Sequence, residues 1–181
     1  MIRLLLALAL SVFAANAALA QTIILVRHAE KADQSRDPAL SEAGVARAQA
    51  LALALRDAPV TNILVSPLRR TRLTAQPAAT ARALTPEPIS LDGGDAAHVE
   101  RIVQRIDALP PGAVVLIVGH SNTIPLIAAA LGQTVAQPME DCEYDRLTVI
   151  TLTGGDPSSG VTVVGRYGAP SACPTAPAPA R

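Results

Sequence analysis

The chain has no tryptophan, one phenylalanine and two tyrosines among its 181 residues. Platforms that stack bases or flat sugars are built from such side chains, so single-stranded nucleic acid and large flat ligands find no support as partners. There is no excess of either charge: 15 basic side chains are matched by 15 acidic ones. Nucleic-acid binders normally carry a basic patch or stripe, and none is evident here. Cysteine is nearly absent, with only Cys142 and Cys173, and histidine is limited to three residues. That scarcity makes the places where histidines do stand informative.

Half of the residues are hydrophobic, and Ala and Leu supply the bulk that aromatics do not. A chain of this length forms one domain with an adequate core. Residues 1–20 do not belong to that domain. Arg3 gives a positive start, residues 4–18 are apolar, and Ala18-Leu19-Ala20 forms a small-x-small site before Gln21. This layout predicts a cleaved secretory signal peptide and a periplasmic or secreted protein. The run is short for a membrane span, which takes roughly 20 apolar residues, so no stable membrane insertion is expected after cleavage. No cysteine sits near the cleavage site, which disfavours a lipid anchor. Removing the leader takes away Arg3 and no acid, so 15 basic residues become 14 against 15 acidic ones. In an oxidising compartment an even cysteine count predicts a Cys142–Cys173 disulfide, tying the Pro/Ala-rich tail at 169–181 to the loop around Asp141. The tail is otherwise expected to be disordered, and the folded domain to span 21–168.

Apolar, β-branched runs predict strands at 22–26, 62–65, 113–118 and 147–152, with an edge strand at 161–164. Helical patterns lie between them. Ser41 caps a first helix with Val45, Ala48, Ala52 and Leu55 on one face. Ser66-Pro67 reads as an N-cap and first-turn proline of a second helix running towards residue 84. Asp95 caps a third, with Val99, Ile102, Val103 and Ile106 inward. A fourth starts near Asn122 and stops at Gly132. Alternating strands and helices predict a three-layer α/β/α fold, its sheet mostly parallel with helices on both faces.

Ligands of open α/β sheets bind beyond the carboxyl ends of the strands. Two histidines, His28 and His120, stand at such ends, whereas His98 falls within a predicted helix and is expected at the surface or partly packed. Arg27 adjoins His28, and the 62–65 strand leads into Arg69 and Arg70. Arginine forks match phosphoryl oxygens, helix starts offer free N–H groups, and a neutral imidazole can attack phosphorus. The rival is a metal held by His28, His120 and Glu30, which the nearby arginines oppose.

The segments Leu25-Val26-Arg27-His28-Ala29-Glu30, Leu40-Ser41-x-x-Gly44-x-x-Arg47-Ala48, Ser66-Pro67-Leu68-Arg69-Arg70-x-x-x-Thr74 and Val118-Gly119-His120-Ser121-Asn122-Thr123 occur in order. Together they resemble the histidine phosphatase superfamily, the phosphoglycerate-mutase-like proteins. The resemblance implies His28 as the nucleophile that becomes phosphohistidine. It implies Arg27, Arg70 and His120 as the groups holding the phosphoryl oxygens, with Asn122 as a further donor. It singles out Arg70 over Arg69, leaving Arg69 and Arg72 in solvent. A carboxylate proton donor is expected after the second arginine motif; Asp92 stands ahead of Asp95, with Glu87 a third candidate. Ala29 replaces the usual Gly, and Glu30-Lys31-Ala32-Asp33 lacks the mutases' Ser-x-x-Asn run, which implies a small exported phosphatase branch. The expected activity is metal- and cofactor-independent hydrolysis of a small phosphorylated substrate. A phosphate-binding protein without turnover is the other class the motifs accommodate.

Overall fold

The computed structural model describes residues 20–132, 137–153 and 156–173. The expected signal peptide and the tail beyond residue 173 lie outside the described residues.

Six strands form one sheet in the order β3-β2-β4-β1-β5-β6. They are β1 (Gln21–Arg27), β2 (Asn62–Val65), β3 (Glu87–Pro88), β4 (Val114–Gly119), β5 (Arg146–Thr153) and β6 (Asp156–Arg166). β1, β2, β3 and β4 pair in parallel, while β5 and β6 continue the sheet antiparallel. In β1 the successive side chains Ile23, Ile24, Leu25 and Val26 are all buried. Side chains alternate across a strand, and accordingly Ile23 and Leu25 join one core cluster while Ile24 and Val26 join the other. Such a strand fits only at the centre, covered on both faces.

The helices are α1 (Glu42–Ala54), α2 (Arg69–Thr80), α3 (Gly94–Asp107) and α4 (Thr123–Ala130). α1 and α2 cover the Ile24 face with Leu51, Leu55, Ala75, Ala78 and Ala79. α3 and α4 cover the other with Val99, Ile102, Ile106, Ile124 and Ile127. The fold is the expected three-layer α/β/α arrangement. Among the described residues no helix is long and apolar enough to cross a membrane.

Local expectations needed correction. Val45 is 48 % exposed, because the inward face of α1 runs through Gly44, Arg47, Ala48 and Leu51. Ser66 does not cap α2: the helix begins two residues later, and Asp37 accepts the Arg69 N–H at 2.8 Å in its place. Asp95 is not the cap of α3 but stands in its first turn, after Gly93 in the left-handed region at φ 84°. His98 is buried, with Nδ1 on the Ser90 carbonyl at 2.9 Å. β6 is much longer than the expected 161–164, since it pairs with β5 along nearly its whole length.

The Cys142–Cys173 disulfide is present, closing a separation of 31 residues. By the chain-entropy account such a loop contributes about 3–4 kcal/mol. The segment 169–173 is ordered accordingly, with Ala169 O accepting from Arg47 at 2.9 Å and Ser171 bonded to Asp145.

α1 crosses the segment that follows β1 at Gly44. A Cβ there would lie 2.3 Å from the Glu30 carbonyl oxygen, which is backbone and has no room to yield. Gly44→Ala is therefore expected to destabilise the fold by about 1–3 kcal/mol, the usual cost of overpacking. Urea denaturation checks this; a midpoint equal to that of the unchanged protein contradicts the close crossing.

Candidate active site

The parallel register pairs Arg27 with Gly119, so β1 and β4 end side by side and release His28 and His120 at one sheet edge. The His28 N–H donates to Gly119 O at 2.9 Å, continuing the ladder one residue past the strand. The two imidazole centroids lie 5.3 Å apart, edge to face. Gly119 has no space for a side chain, since a Cβ would meet Ile124 Cδ1 at 2.9 Å and Thr123 Oγ1 at 3.0 Å.

His28 is held through Nδ1, which lies 2.7 Å from the Ala29 carbonyl oxygen. A carbonyl only accepts, so Nδ1 carries the proton and Nε2 keeps its lone pair. Ala29 is itself fixed, because its N–H donates to Thr74 Oγ1 at 2.9 Å. Ala29 is fully buried, yet among the described non-glycine residues only Ala83 has a positive φ, so a methyl group replaces the family glycine without backbone strain. Glu30 accepts a forked bond from Arg47, Nε at 2.9 Å and Nη2 at 2.7 Å. Its carboxylate, a candidate metal ligand from the sequence, is thus engaged by a cation.

Arg27 is buried, and its Nη1 faces the carbonyls of Asp141 at 2.8 Å, Glu140 at 3.0 Å and Glu143 at 3.1 Å. Its guanidinium carbon sits 4.1 Å from the centre of the Tyr144 ring, and that ring lies 6.1 Å from His28. His120 Nε2 is 3.0 Å from Ser66 Oγ, which explains why Ser66 is diverted from capping. Thr71 Oγ1 lies 3.0 Å from the same hydroxyl. Arg70 stands in the first turn of α2, whose start the Asp37 carboxylate holds.

Among the described residues, five buried side-chain polar atoms have no partner; three of them are Arg27 Nε, Arg70 Nε and His120 Nδ1. Buried donors are normally satisfied, so three orphans in one place mark a site for an acceptor. Burial, above all, drives both imidazoles towards the neutral form. His28 falls to about 3, with His120, Arg27 and Arg70 adding to the effect against the Ala29 bond. His120 falls to about 4, pushed further by Arg70, His98 and Arg27 and opposed by Asp95.

The three carboxylates considered from the sequence part company here. Glu87 is engaged by Arg105 at 2.8 Å. Asp92 is exposed and accepts from Ser90 Oγ at 2.8 Å. Asp95 accepts from Asn122 Nδ2 at 2.7 Å, which brings its charge to bear on His120 and leaves Asn122 orienting a carboxylate. Tyr144, Thr74 and Ser66 were not assigned roles from the sequence. Thr74 had a signal, since it lies four residues after Arg70 on the same helical face; Tyr144 had none.

A protein-family model described as histidine phosphatase superfamily (branch 1) matches residues 23–92. A solved structure of a candidate phosphohistidine phosphatase, SixA, from Nakamurella multipartitia is 27 % identical, with TM-score 0.59, covering 86 % of this chain and 99 % of that one. Over residues 23–92 the chain is thus similar to the histidine phosphatase superfamily. Other solved structures share the fold. A candidate alpha-ribazole-5'-P phosphatase from Escherichia coli K-12 aligns at 18 % identity and TM-score 0.63, covering 81 % of this chain and 96 % of that one. A mycobacterial glucosyl-3-phosphoglycerate phosphatase aligns at 19 % and 0.59, covering 83 % and 99 %. No curated protein matches the chain by sequence.

The neutral histidine pair has a consequence for stability. Both folded-state values lie below 6.5, so under acid the unfolded chain binds protons that the folded chain refuses. Stability should fall as pH drops from about 6.5 towards about 4, by at most about 1.4 kcal/mol per pH unit for each histidine, and the histidines' part of the slope should vanish below about 3. Denaturation of the unchanged protein, His28→Gln and His120→Gln across that range checks this, each variant being expected to show a shallower slope.

Proposed function

We propose that the chain is an exported phosphomonoesterase of a small phosphatase branch, passing a phosphoryl group to His28 and then to water without a metal. The observation that carries this reading is the trio of unpartnered buried nitrogens, Arg27 Nε, Arg70 Nε and His120 Nδ1, beside an imidazole fixed with its Nε2 lone pair available. The substrate is a small phosphorylated molecule, a sugar phosphate being one class, and the pocket needs no cofactor for it. Export is supported by the leader-like segment at 1–20 and by the disulfide.

The two arginines and His120 receive the equatorial phosphoryl oxygens. Ser66 donating to His120 Nε2 selects the tautomer with a proton on Nδ1, the form that can donate to an anion. His28 Nε2 attacks phosphorus as the ester P–O bond breaks, while Ala29 O steadies the cationic ring that results. Asp95, oriented by Asn122, gives the leaving oxygen its proton and then takes one from the water that cleaves the N–P bond. Inorganic phosphate leaves, and His28 returns to its starting form. The pairing of Glu30 with Arg47 supports the reading without a metal.

His28→Ala should abolish turnover of an aryl phosphate, and acid-labile phosphate should appear on the unchanged protein but not on the variant. Wild-type turnover by His28→Ala ends this reading, and phosphate binding without turnover by the unchanged protein points to the binding-protein alternative. Asp95→Asn should lower kcat on alkyl phosphates by about 10²- to 10⁴-fold, the usual worth of a general acid, and less on aryl esters with good leaving groups. Asp92→Asn should leave both rates near the original. Because His28 is neutral down to about 3, kcat/KM should hold well below pH 6.5 before protonation of the free enzyme depresses it.

A further inference from the structure

The guanidinium of Arg27 depends on a loop rather than on the strand that bears it. Three backbone carbonyls, those of Glu140, Asp141 and Glu143, converge on Nη1. They hold the group so that Nε is left without a partner beside the catalytic histidine. The loop's flanks are tied down by Arg146, which donates to Gln137 O at 2.9 Å and Pro138 O at 2.9 Å on one side. On the other it bonds the Glu143 carboxylate at 2.6 Å. The crest at 140–142 has less: a turn from Glu143 N to Glu140 O, an exposed bond from Ser121 Oγ to Asp141, and the bridge from Cys142 to Cys173. Two of the three carbonyls on Arg27 come from this crest.

The bridge leads to a strap formed by residues 167–173. Ser171 Oγ accepts from Tyr144 N at 2.8 Å and Asp145 N at 3.0 Å and lies 2.7 Å from Asp145 Oδ1. Arg47, which grips Glu30, also donates to Tyr167 O at 3.2 Å and Ala169 O at 2.9 Å. Cys173 and Ser171 thus clamp the loop on either side of Tyr144, whose ring covers the Arg27 guanidinium.

We propose that the Cys142–Cys173 bridge and the strap it fastens are positioning elements for the anion site, setting Arg27 so that the oxidised protein binds phosphoryl groups well and the reduced protein binds them poorly. The inference rests on the phosphatase reading for what the anion is, but its measured quantity is phosphate affinity. Reduction by a dithiol converts the bridge to two thiols as the reagent closes to its own disulfide. Glu140 and Asp141 then lose their tether, while Glu143 stays held by Arg146. A graded loss of affinity follows, with the fold retained.

The test is calorimetric titration of inorganic phosphate into the full oxidised protein and into Cys142→Ser/Cys173→Ser, with p-nitrophenyl phosphate turnover measured alongside. The double variant should raise the phosphate Kd by about tenfold, the size of one charge-assisted hydrogen bond; a rise below about threefold overturns the proposal. In an Arg27→Lys background, removing the bridge should change Kd by less than about threefold, since coupled groups are not additive. A tenfold loss persisting there shows that the bridge acts elsewhere and also overturns it. If the double variant does not fold, Ser171→Ala with the bridge intact and the unchanged protein reduced with dithiothreitol, its thiols counted, give the same comparison. Oxidised protein that binds phosphate but hydrolyses nothing sinks the phosphatase reading and leaves the bridge judged on Kd alone. Oxidised protein that binds no phosphate sinks both.

Discussion

Parallel pairing of β1 with β4 fixes where the chemistry can happen. The ladder runs from Thr22 opposite Val114 to Arg27 opposite Gly119, six residues in register. A slip of one residue would turn each side chain of the strand to the other layer, and it would separate His28 from His120. Apolar packing on both sides of β1 prevents that slip, because Ile23 and Leu25 belong to one core and Ile24 and Val26 to the other. The geometry of the two imidazoles is therefore a by-product of hydrophobic burial. Rigid strands make better mounts for a nucleophile than loops do, and here the loops are used only for what surrounds it.

The second layer of organisation is polar and runs through backbone atoms. Ala29 O accepts a hydrogen bond from His28 Nδ1–H, Glu30 O accepts from the Ser41 N–H, and Glu140, Asp141 and Glu143 offer carbonyls to Arg27. Carbonyls carry no titratable charge, so they orient cations and imidazoles without neutralising the positive field that an anion needs. Where a carboxylate is used, as in Glu30, Arg47 binds it in turn. Asp95, whose charge bears on His120, is held by an amide rather than by a cation.

Most of the fold was legible in the sequence, because central strands buried on both faces write themselves as unbroken apolar runs such as Ile23-Ile24-Leu25-Val26. That His28 and His120 follow strand ends was legible from local pattern, whereas Arg70 was singled out by the resemblance. What could not be read depended on contacts between segments far apart in the chain. Ser66-Pro67 has the form of a helix cap, yet a histidine 54 residues away claims its hydroxyl. Asp92 and Asp95 are nearly equivalent as sequence, and nothing local foretells that Asn122, the N-cap of α4, bonds Asp95. His98 has no local mark of burial; the packing of α3 against the sheet encloses it. The disulfide followed from counting two cysteines, but that its loop reaches Arg27 is a property of the folded chain alone.

The buried nitrogens at Arg27, Arg70 and His120 that no protein group meets want an acceptor, since a buried donor left without one costs a fold about 1–3 kcal/mol. Any tetrahedral oxyanion relieves that cost, and the donors have no means of telling an ester from the free acid once the leaving group has gone. Product retention is thus built into the same atoms that capture substrate. Under the phosphatase reading, turnover would then be fastest where the surroundings are poor in free phosphate.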